Sequence, residues 1–402
     1  MSELIVSTSS IPYFHETSAP RFRKAKGEKT TSVVIIGAGI IGVLHAVRLA
    51  ECGVECILID GGRVMQGISL HQSGMQTRTF DERYDDILKR EGAGLLEERF
   101  GIAARAQQWL MATVARVGGE CSFRIGDSDY GAYNEKVNLD SLYGLWEGAS
   151  VANTGAQLLE NQVVTSENPF TAMMRFPQEG SYNPVRFAHN ALRHYKDMIT
   201  VFENSPVESV RVRNGNVVVG TADATIYAGH VILATAEPRL LGKGIKRFFY
   251  KNWCLSLVLK FPKTVSIPYN RNFFDTPTIN CFRRLDDNMV ILLGEGPNLS
   301  KNEDEEVYLE QLLKLARQLF GNDFEIARKW AAYYVETKDG MPIGGAHPKP
   351  QYSEHITLAL GGGGTGNVNG SLLAQMNVQR ILTGRHDPEY DLFDIARFFK
   401  EA

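Results

Sequence analysis

With 402 residues, 44% of them hydrophobic, the chain has material for about two to three domains and a substantial core. A net charge of −3 with both signs interspersed gives no basic stripe for nucleic acid and no polybasic segment for a membrane surface, so neither partner is expected. Five scattered cysteines, Cys52, Cys56, Cys121, Cys254 and Cys281, offer neither CxxC spacing nor a disulfide framework, and no metal site is expected.

The N-terminus lacks a basic start followed by an apolar core, and no run of about 18 apolar residues occurs. No membrane span is expected, and the expected compartment is the cytoplasm. Residues 1–30 read as an N-terminal arm in which Ile11, Tyr13 and Phe14 could pack on the body, while Ser18 to Lys29 forms a loop into the first strand.

Thr31 to Asp60 carries the strongest local signal. The apolar run Val33 to Ile36 meets Gly37, Gly39 and Gly42 in GxGxxG spacing, then helical periodicity, then a second apolar run ending in Asp60. The first glycine allows a tight turn, the second lets backbone approach a pyrophosphate, and the third lets the helix pack on the sheet. Asp60, about 20 residues on, is placed to accept from a ribose hydroxyl. The following GGRVMQGISLHQSGMQTR is rich in Gly, Ser and Gln. It suits a loop along an extended ligand and favours a long dinucleotide.

Residues 81 to about 118 have helical patterns. From Cys121 to Phe170 the signal is short strands and turns, with Tyr130, Tyr133, Tyr143 and Trp146 suiting either a substrate lid or an ordinary packed β subdomain. Asn183-Pro184 opens a helix with a capping side chain and a first-turn proline. Residues 201–236 read as four strands with a hairpin turn at Asn214-Gly215, the last strand ending in small residues where a ligand can approach. Asn252 to Phe261 and Phe273 to Gly294 alternate as antiparallel strands, and Glu303 to Phe320 is an amphipathic helix. Near the C-terminus a short strand from Ile356 to Leu360 runs into Gly361 to Gly364, Thr365 and Gly366, then a helix. Consecutive glycines are entropically expensive to order, so a ligand or another backbone is expected against them.

Together these segments resemble the D-amino-acid-oxidase-like family of FAD-dependent oxidoreductases, which includes sarcosine oxidase, glycine oxidase and dimethylglycine dehydrogenase. The resemblance is carried in order by Val33 to Asp60, SLHQSGMQTR, SYNPVRFAHNAL with ENSPVESV and HVILATA, and TKDGMPIGG with LALGGGGTGNVNGSLLAQ. It implies an α/β fold in which an FAD-binding Rossmann-type (glutathione-reductase-like) domain, residues 31–80, 181–240 and 335–402, is interleaved with an antiparallel-sheet α+β substrate domain, residues 81–180 and 241–334.

The resemblance further implies that Gly37, Gly39, Ile40, Ile41, Gly42, Asp60 and Gly61 hold the ADP half of FAD. Ser69, Leu70, His71, Gln72, Ser73 and Gly74 would run from the pyrophosphate towards the flavin. Val207 would meet the adenine through its backbone, Ala234 and Thr235 would line the cofactor, and Gly361, Gly364, Thr365 and Gly366 would approach the flavin's pyrimidine edge. No second GxGxxG with strand and acid is present, so electrons are expected from the substrate itself.

Three positions depart from relatives. Ala332 stands where sarcosine oxidase links a cysteine to the flavin. His71 has the spacing of the histidine that links the flavin in the dimethylglycine dehydrogenase branch, and reads either as that link or as a hydrogen-bonding loop residue. Asn367 and Val368 stand where some members place a lysine. Arg78 is the expected active-site cation and Tyr334 a second catalytic candidate, with Tyr333, His347 and Arg239 weaker ones. The expected reaction moves a hydride from an amine-bearing carbon of an amino acid or small amine to flavin N5, with hydrolysis of the imine. Rival readings are oxidation of a 2-hydroxy acid or polyol phosphate, and a flavin-bearing partner subunit without turnover.

Overall fold

The computed structural model describes residues 12–16, 19–78, 82–132, 136–163, 170–236, 243–265, 272–275, 280–296 and 303–399. The expectations placed on Ile11, Tyr133 and Arg239 lie outside these residues.

The chain opens with the βαβ unit β1 (Gly27–Ile36), α1 (Ile40–Glu51) and β2 (Cys56–Ile59), followed by β3 (Met75–Gln76), α2 (Tyr84–Glu91), α3 (Ala93–Val117), β4 (Arg124–Ala132), α4 (Lys136–Val151), β5 (Gln157–Leu159) and β6 (Ala172–Ser181). Next come α5 (Pro184–His194), β7 (Ile199–Phe202), β8 (Val207–Arg213), β9 (Asn216–Thr221), β10 (Ala224–Leu233), α6 (Lys243–Lys246), β11 (Phe249–Lys260), β12 (Asn272–Asp275), β13 (Asn280–Asp286) and β14 (Met289–Gly296). The C-terminal part is α7 (Glu303–Phe320), β15 (Glu325–Thr337), α8 (Pro350–Ser353), β16 (Ile356–Leu358) and α9 (Gly366–Thr383).

Two sheets result. The first has seven strands in the order β7-β2-β1-β10-β9-β8, with β16 beside β10. β7, β2, β1, β10 and β16 are parallel, and β8 and β9 continue the sheet antiparallel. Strand β10 serves both kinds of neighbour: Thr225 to Ala228 pair with β9, and Val231 to Leu233 pair with β16. The apolar end of β1 is buried on both faces, as a parallel strand covered by helices requires. The second sheet has nine strands in the order β15-β11-β14-β13-β12-β4-β6-β3, with β5 on β6, and is antiparallel except where β12 meets β4. β3, just beyond the Ser69–Gly74 loop, therefore carries the chain from the first sheet to the second.

Helix α1 is buried almost all round, between the first sheet and α9. That includes His45, whose Nδ1 donates to the Ile41 carbonyl while Nε2 accepts from Asn377 Nδ2 at 3.0 Å. Burial lowers the His45 pKa to about 4, so the imidazole is neutral and serves as a rivet between the two helices.

Local signals act as physics expects. Asn183 Oδ1 caps α5 by accepting from Val185 N and Arg186 N, with Pro184 in the first turn. Asn214 and Gly215 take positive φ between β8 and β9, the conformation a two-residue hairpin turn needs. Phe14 is buried in the core, and Tyr13 packs against it.

One stretch differs from the sequence reading. Residues 136–151 form a helix, α4, where short strands and turns were expected. Gly144 and Gly148 let α4 approach α2: a Cβ on Gly148 would come within 2.6–2.7 Å of Tyr84 C and Asp85 N. Tyr130 and Trp146 pack against the cluster under α4, which makes this region part of the packed body.

Candidate functional site

The turn between β1 and α1 is fixed by backbone sterics. Gly37 sits at φ +109°, and a methyl there would overlap the Ala234 carbonyl; a methyl at Gly42 would overlap the carbonyl oxygen of Gly37. Gly39 plays a different part. A Cβ on it would enter a space at the α1 N-terminus bounded by Ser69 Oγ at 2.9 Å, and that same oxygen accepts from Ile40 N at 2.9 Å. Oriented N–H groups and a small cradle at a helix N-terminus make an anion site.

Asp60 faces this turn at the end of β2. Its Oδ2 accepts from Ala38 N and its Oδ1 from Gly62 N, both at 2.7 Å. Burial pushes the carboxyl up and the two backbone bonds pull it down. Each oxygen keeps a lone pair for a further donor. Beside it runs the chain that enters β8: Ser205 N donates to the Asp60 carbonyl, Asn204 N to the Gly62 carbonyl, and Pro206 would lie 3.4 Å from a Cβ on Gly61. Val207 is thus next to Asp60 and Gly61, and Ala234 and Thr235 are next to Gly37.

The loop after Asp60 is pinned at several points. Leu70 is buried in the core, Gln72 Nε2 donates to the Ser69 carbonyl, and Arg283 Nε donates to the Ser73 carbonyl at 2.7 Å. Gly74 takes φ +76° with no room for a side chain beside the Tyr182 carbonyl. His71 Nδ1 donates to the Gly67 carbonyl at 3.2 Å, and burial lowers its pKa. From the other sheet, Trp330 Nε1 donates to the His71 carbonyl at 3.3 Å.

The C-terminal glycines come to the same place. Gly361 and Gly363 have positive φ; a Cβ on Gly361 would lie 2.6 Å from Thr337 Cγ2, and one on Gly362 would lie 2.9 Å from Ile41 Cδ1. Gly363 N donates to the Val335 carbonyl, and Asn369 Nδ2 ties the loop through the Gly362 carbonyl and Thr365 Oγ1. Thr365 and Gly366 then start α9, which packs closely on α1 at Gly370. Asn367 has a role in the body: it accepts from Tyr182 OH and donates to the Met75 carbonyl. The structure thus brings the two glycine clusters, the Ser69–Gly74 loop and β15 around the α1 N-terminus.

The catalytic candidates are placed differently. Arg78 donates from Nε to Glu179 Oε1 at 2.9 Å and from Nη2 to the Pro177 carbonyl at 2.5 Å, and lies over the Phe100 ring. Gln107 Nε2 donates to the other oxygen of Glu179 at 2.9 Å, and burial lifts that carboxyl to about 7 despite Arg78. The charge of Arg78 is matched inside a buried pair. Tyr334 lies on the β15 face shared with Trp330 and Ala332, and Asn252 Nδ2 donates to its hydroxyl at 3.1 Å. Tyr333 points to the opposite face, against Trp253 and beneath Lys251. His347 packs on Tyr352 near α8, and its Nδ1 accepts from Lys349 N.

Sequence reasoning missed several polar residues. Glu203 accepts from Val64 N and Phe22 N, tying the arm and the loop after Asp60 to the first sheet. Glu336 sits beside Tyr334, with Tyr250 and Asn252 across the strand pair. The available signal was the alternation Trp330, Ala332, Tyr334, Glu336 along one strand, which puts a carboxylate in line with a tyrosine already singled out.

A parallel dinucleotide-binding sheet joined to a large antiparallel sheet, with a glycine turn and an acid on the former, defines a flavoprotein-type fold of the glutathione-reductase-like class. A family model for FAD-dependent oxidoreductases matches residues 32–380, and the chain belongs to that family. It is 26% identical over 227 residues to the probable oxidoreductase OrdL of Haemophilus influenzae, covering 54% of this chain and 52% of that protein, about half its length. It is 25% identical over 358 residues to a glycine oxidase of Bacillus licheniformis, 83% of this chain and 88% of that one. The crystal structure of glycine oxidase from Geobacillus kaustophilus, 17% identical, superposes with a TM-score of 0.72 over 92% of this chain and 99% of the other. The cofactor of the family is FAD, and the residues present fit it: the space at Gly39 beside the α1 N-terminus suits an anion, and Asp60 retains acceptor capacity that suits a ribose. Among the described residues no helix is long and apolar enough to cross a membrane.

Proposed function

We propose that this protein oxidises the C–N bond of an amino acid or a small amine. The observation that carries the reading is the convergence on β15: Tyr334 shares a face with Trp330, which holds the His71 loop, and the glycine loop reaches the same strand at the Val335 carbonyl and at Thr337. The relation to a protein named glycine oxidase supports an amine-bearing substrate. FAD, when bound, would supply the two-electron acceptor for a hydride from the amine-bearing carbon.

The chain's own groups do the rest. The Ile41 N–H, with Gly39 and with Ser69 held by Ile40 N, would hold the pyrophosphate, Asp60 would hold the ribose, and Val207 would border the adenine. The Gly364 to Gly366 turn would present the α9 N-terminus to the pyrimidine edge, where its positive end would favour negative charge. Tyr334 positions the substrate from the opposite sheet. Arg78 keeps the β3 segment in place through Glu179 and makes no contact with substrate in this reading. Water then hydrolyses the released imine to a carbonyl compound and ammonia or an alkylamine.

Product analysis tests the reaction class. Nitrogen released in equal amount with a carbonyl product is the expected result, whereas a carbonyl product from a hydroxy acid alone would replace this reading with the hydroxy-acid one. The flavin linkage is also predicted. Ala332 offers no thiol, and the His71 ring is held by its own loop, so acid precipitation is expected to leave the yellow colour in the supernatant. Colour in the pellet would assign a covalent histidyl bond to His71.

A further inference from the structure

Strand alternation decides what the inner face of β15 offers. Trp330 holds the His71 carbonyl and Ala332 packs on the core around α1 and α9, so Tyr334 and Glu336, further along the same strand, turn the same way. Directly opposite them on β11 stand Asn252 and Tyr250. Tyr250, Tyr334 and Asn252 all hydrogen-bond to Glu336. Along the strand, the His71 loop meets Trp330 on the inner face, the glycine loop bonds to the Val335 carbonyl, and Gly361 packs on Thr337 from the other face, so the cluster lies between these contacts in strand position.

Glu336 is only 5% exposed. A buried carboxylate is costly without a counter-charge, and four others among the described residues have one. Asp85 has Arg83, Asp129 has Arg175, Glu179 has Arg78 and Glu203 has Arg63. Among the described residues, the groups that hold Glu336 are two phenols and an amide, all neutral. Lys251 is on the opposite face, over the Tyr333 ring. Arg283 shares the inner face but is in register, through Ile291 and Val258, with Arg328, three strands over and roughly 25 Å along β15 from Glu336 at about 3.3 Å per residue. Burial pushes the Glu336 carboxyl above its ordinary value, and the three hydrogen bonds hold it down.

We propose that Glu336, presented by Tyr250, Asn252 and Tyr334, binds the ammonium group of the substrate and takes one of its protons before the hydride leaves the adjacent carbon, so that the enzyme takes amines recognised by their positive end and not α-amino acids gripped by their carboxylate. The assignment rests on the amine-oxidation reading above and names its substrate class. An entering ammonium supplies the counter-charge that no cation among the described residues is seen to give Glu336, and charge-assisted hydrogen bonds of this kind are the strong ones.

The test uses the FAD-loaded full chain, titrated with tert-butylamine and with pivalate, which share a shape, differ in charge and carry no oxidisable C–H beside the polar group. Flavin absorption reports binding. tert-Butylamine is expected to bind at least about tenfold tighter than pivalate, and Glu336→Gln to lose about 10- to 100-fold of the amine affinity while retaining FAD. Tyr334→Phe, which removes a donor and keeps the charge, retains the preference. tert-Butylamine binding no tighter than pivalate, or a preference that survives in Glu336→Gln, would overturn the assignment. Bleaching by amines combined with a preference for pivalate would leave amine oxidation standing without the Glu336 site. A preference for tert-butylamine in a protein that no amine bleaches would do the reverse.

Discussion

Gly42→Ala is expected to purify colourless or to fail to fold. The added methyl would overlap the Gly37 carbonyl, and both groups belong to backbone held in the β1 turn and the first turn of α1, so neither can swing aside. Overpacking where side chains can yield already costs about 1–3 kcal/mol, and this clash lies at or above the top of that range. Relief requires α1 to lift from the turn, which carries Ile40 N away from Ser69 and opens the pyrophosphate cradle. Gly94→Ala is the matched control: that glycine lies in α3 with nothing near its missing Cβ. It should keep FAD and gain up to about 1 kcal/mol from helix propensity. Absorbance near the flavin bands and a denaturant melt check both variants.

Arg78→Met is expected to act on stability, at about 3–5 kcal/mol, because it leaves Glu179 buried without its counter-charge. The pH dependence identifies the cause. Burial raises the Glu179 carboxyl in the folded protein to about 7, against 4.5 unfolded, so the wild type loses stability as pH climbs from 4.5 through 7 and then levels off. Removing Arg78 removes the strongest influence that lowers this pKa. The folded value rises further, and the variant goes on losing stability above pH 7. The deficit should therefore be larger at pH 8 than at pH 5, by urea titration at both. A stable variant with normal melts and impaired turnover would return Arg78 to the substrate.

Sequence legibility followed the range of the interactions. The βαβ unit could be read because strand, glycines, helix and Asp60 all fall within 30 residues, and the capped start of α5 and the Asn214-Gly215 turn are more local still. α4 was misread because Gly144 and Gly148 serve packing against α2, a partner that no local pattern announces. The role of Arg78 depends on Glu179, 101 residues away. Which of Tyr333 and Tyr334 shares a face with Trp330 is a matter of strand parity, and pairing with β11 shows which way that face looks. The Glu336 cluster likewise joins β11 to β15, whose Asn252 and Tyr334 are 82 residues apart. Register between distant strands is fixed by which face is buried, and a single sequence does not display it.

The most direct measurement is anaerobic mixing of the FAD-loaded protein with a panel of amines, amino acids and 2-hydroxy acids, followed by absorbance. A catalyst of C–N oxidation should lose its yellow colour with at least one amine and keep it with every hydroxy acid. Colour that persists through the whole panel, or bleaching by a hydroxy acid alone, would contradict the account.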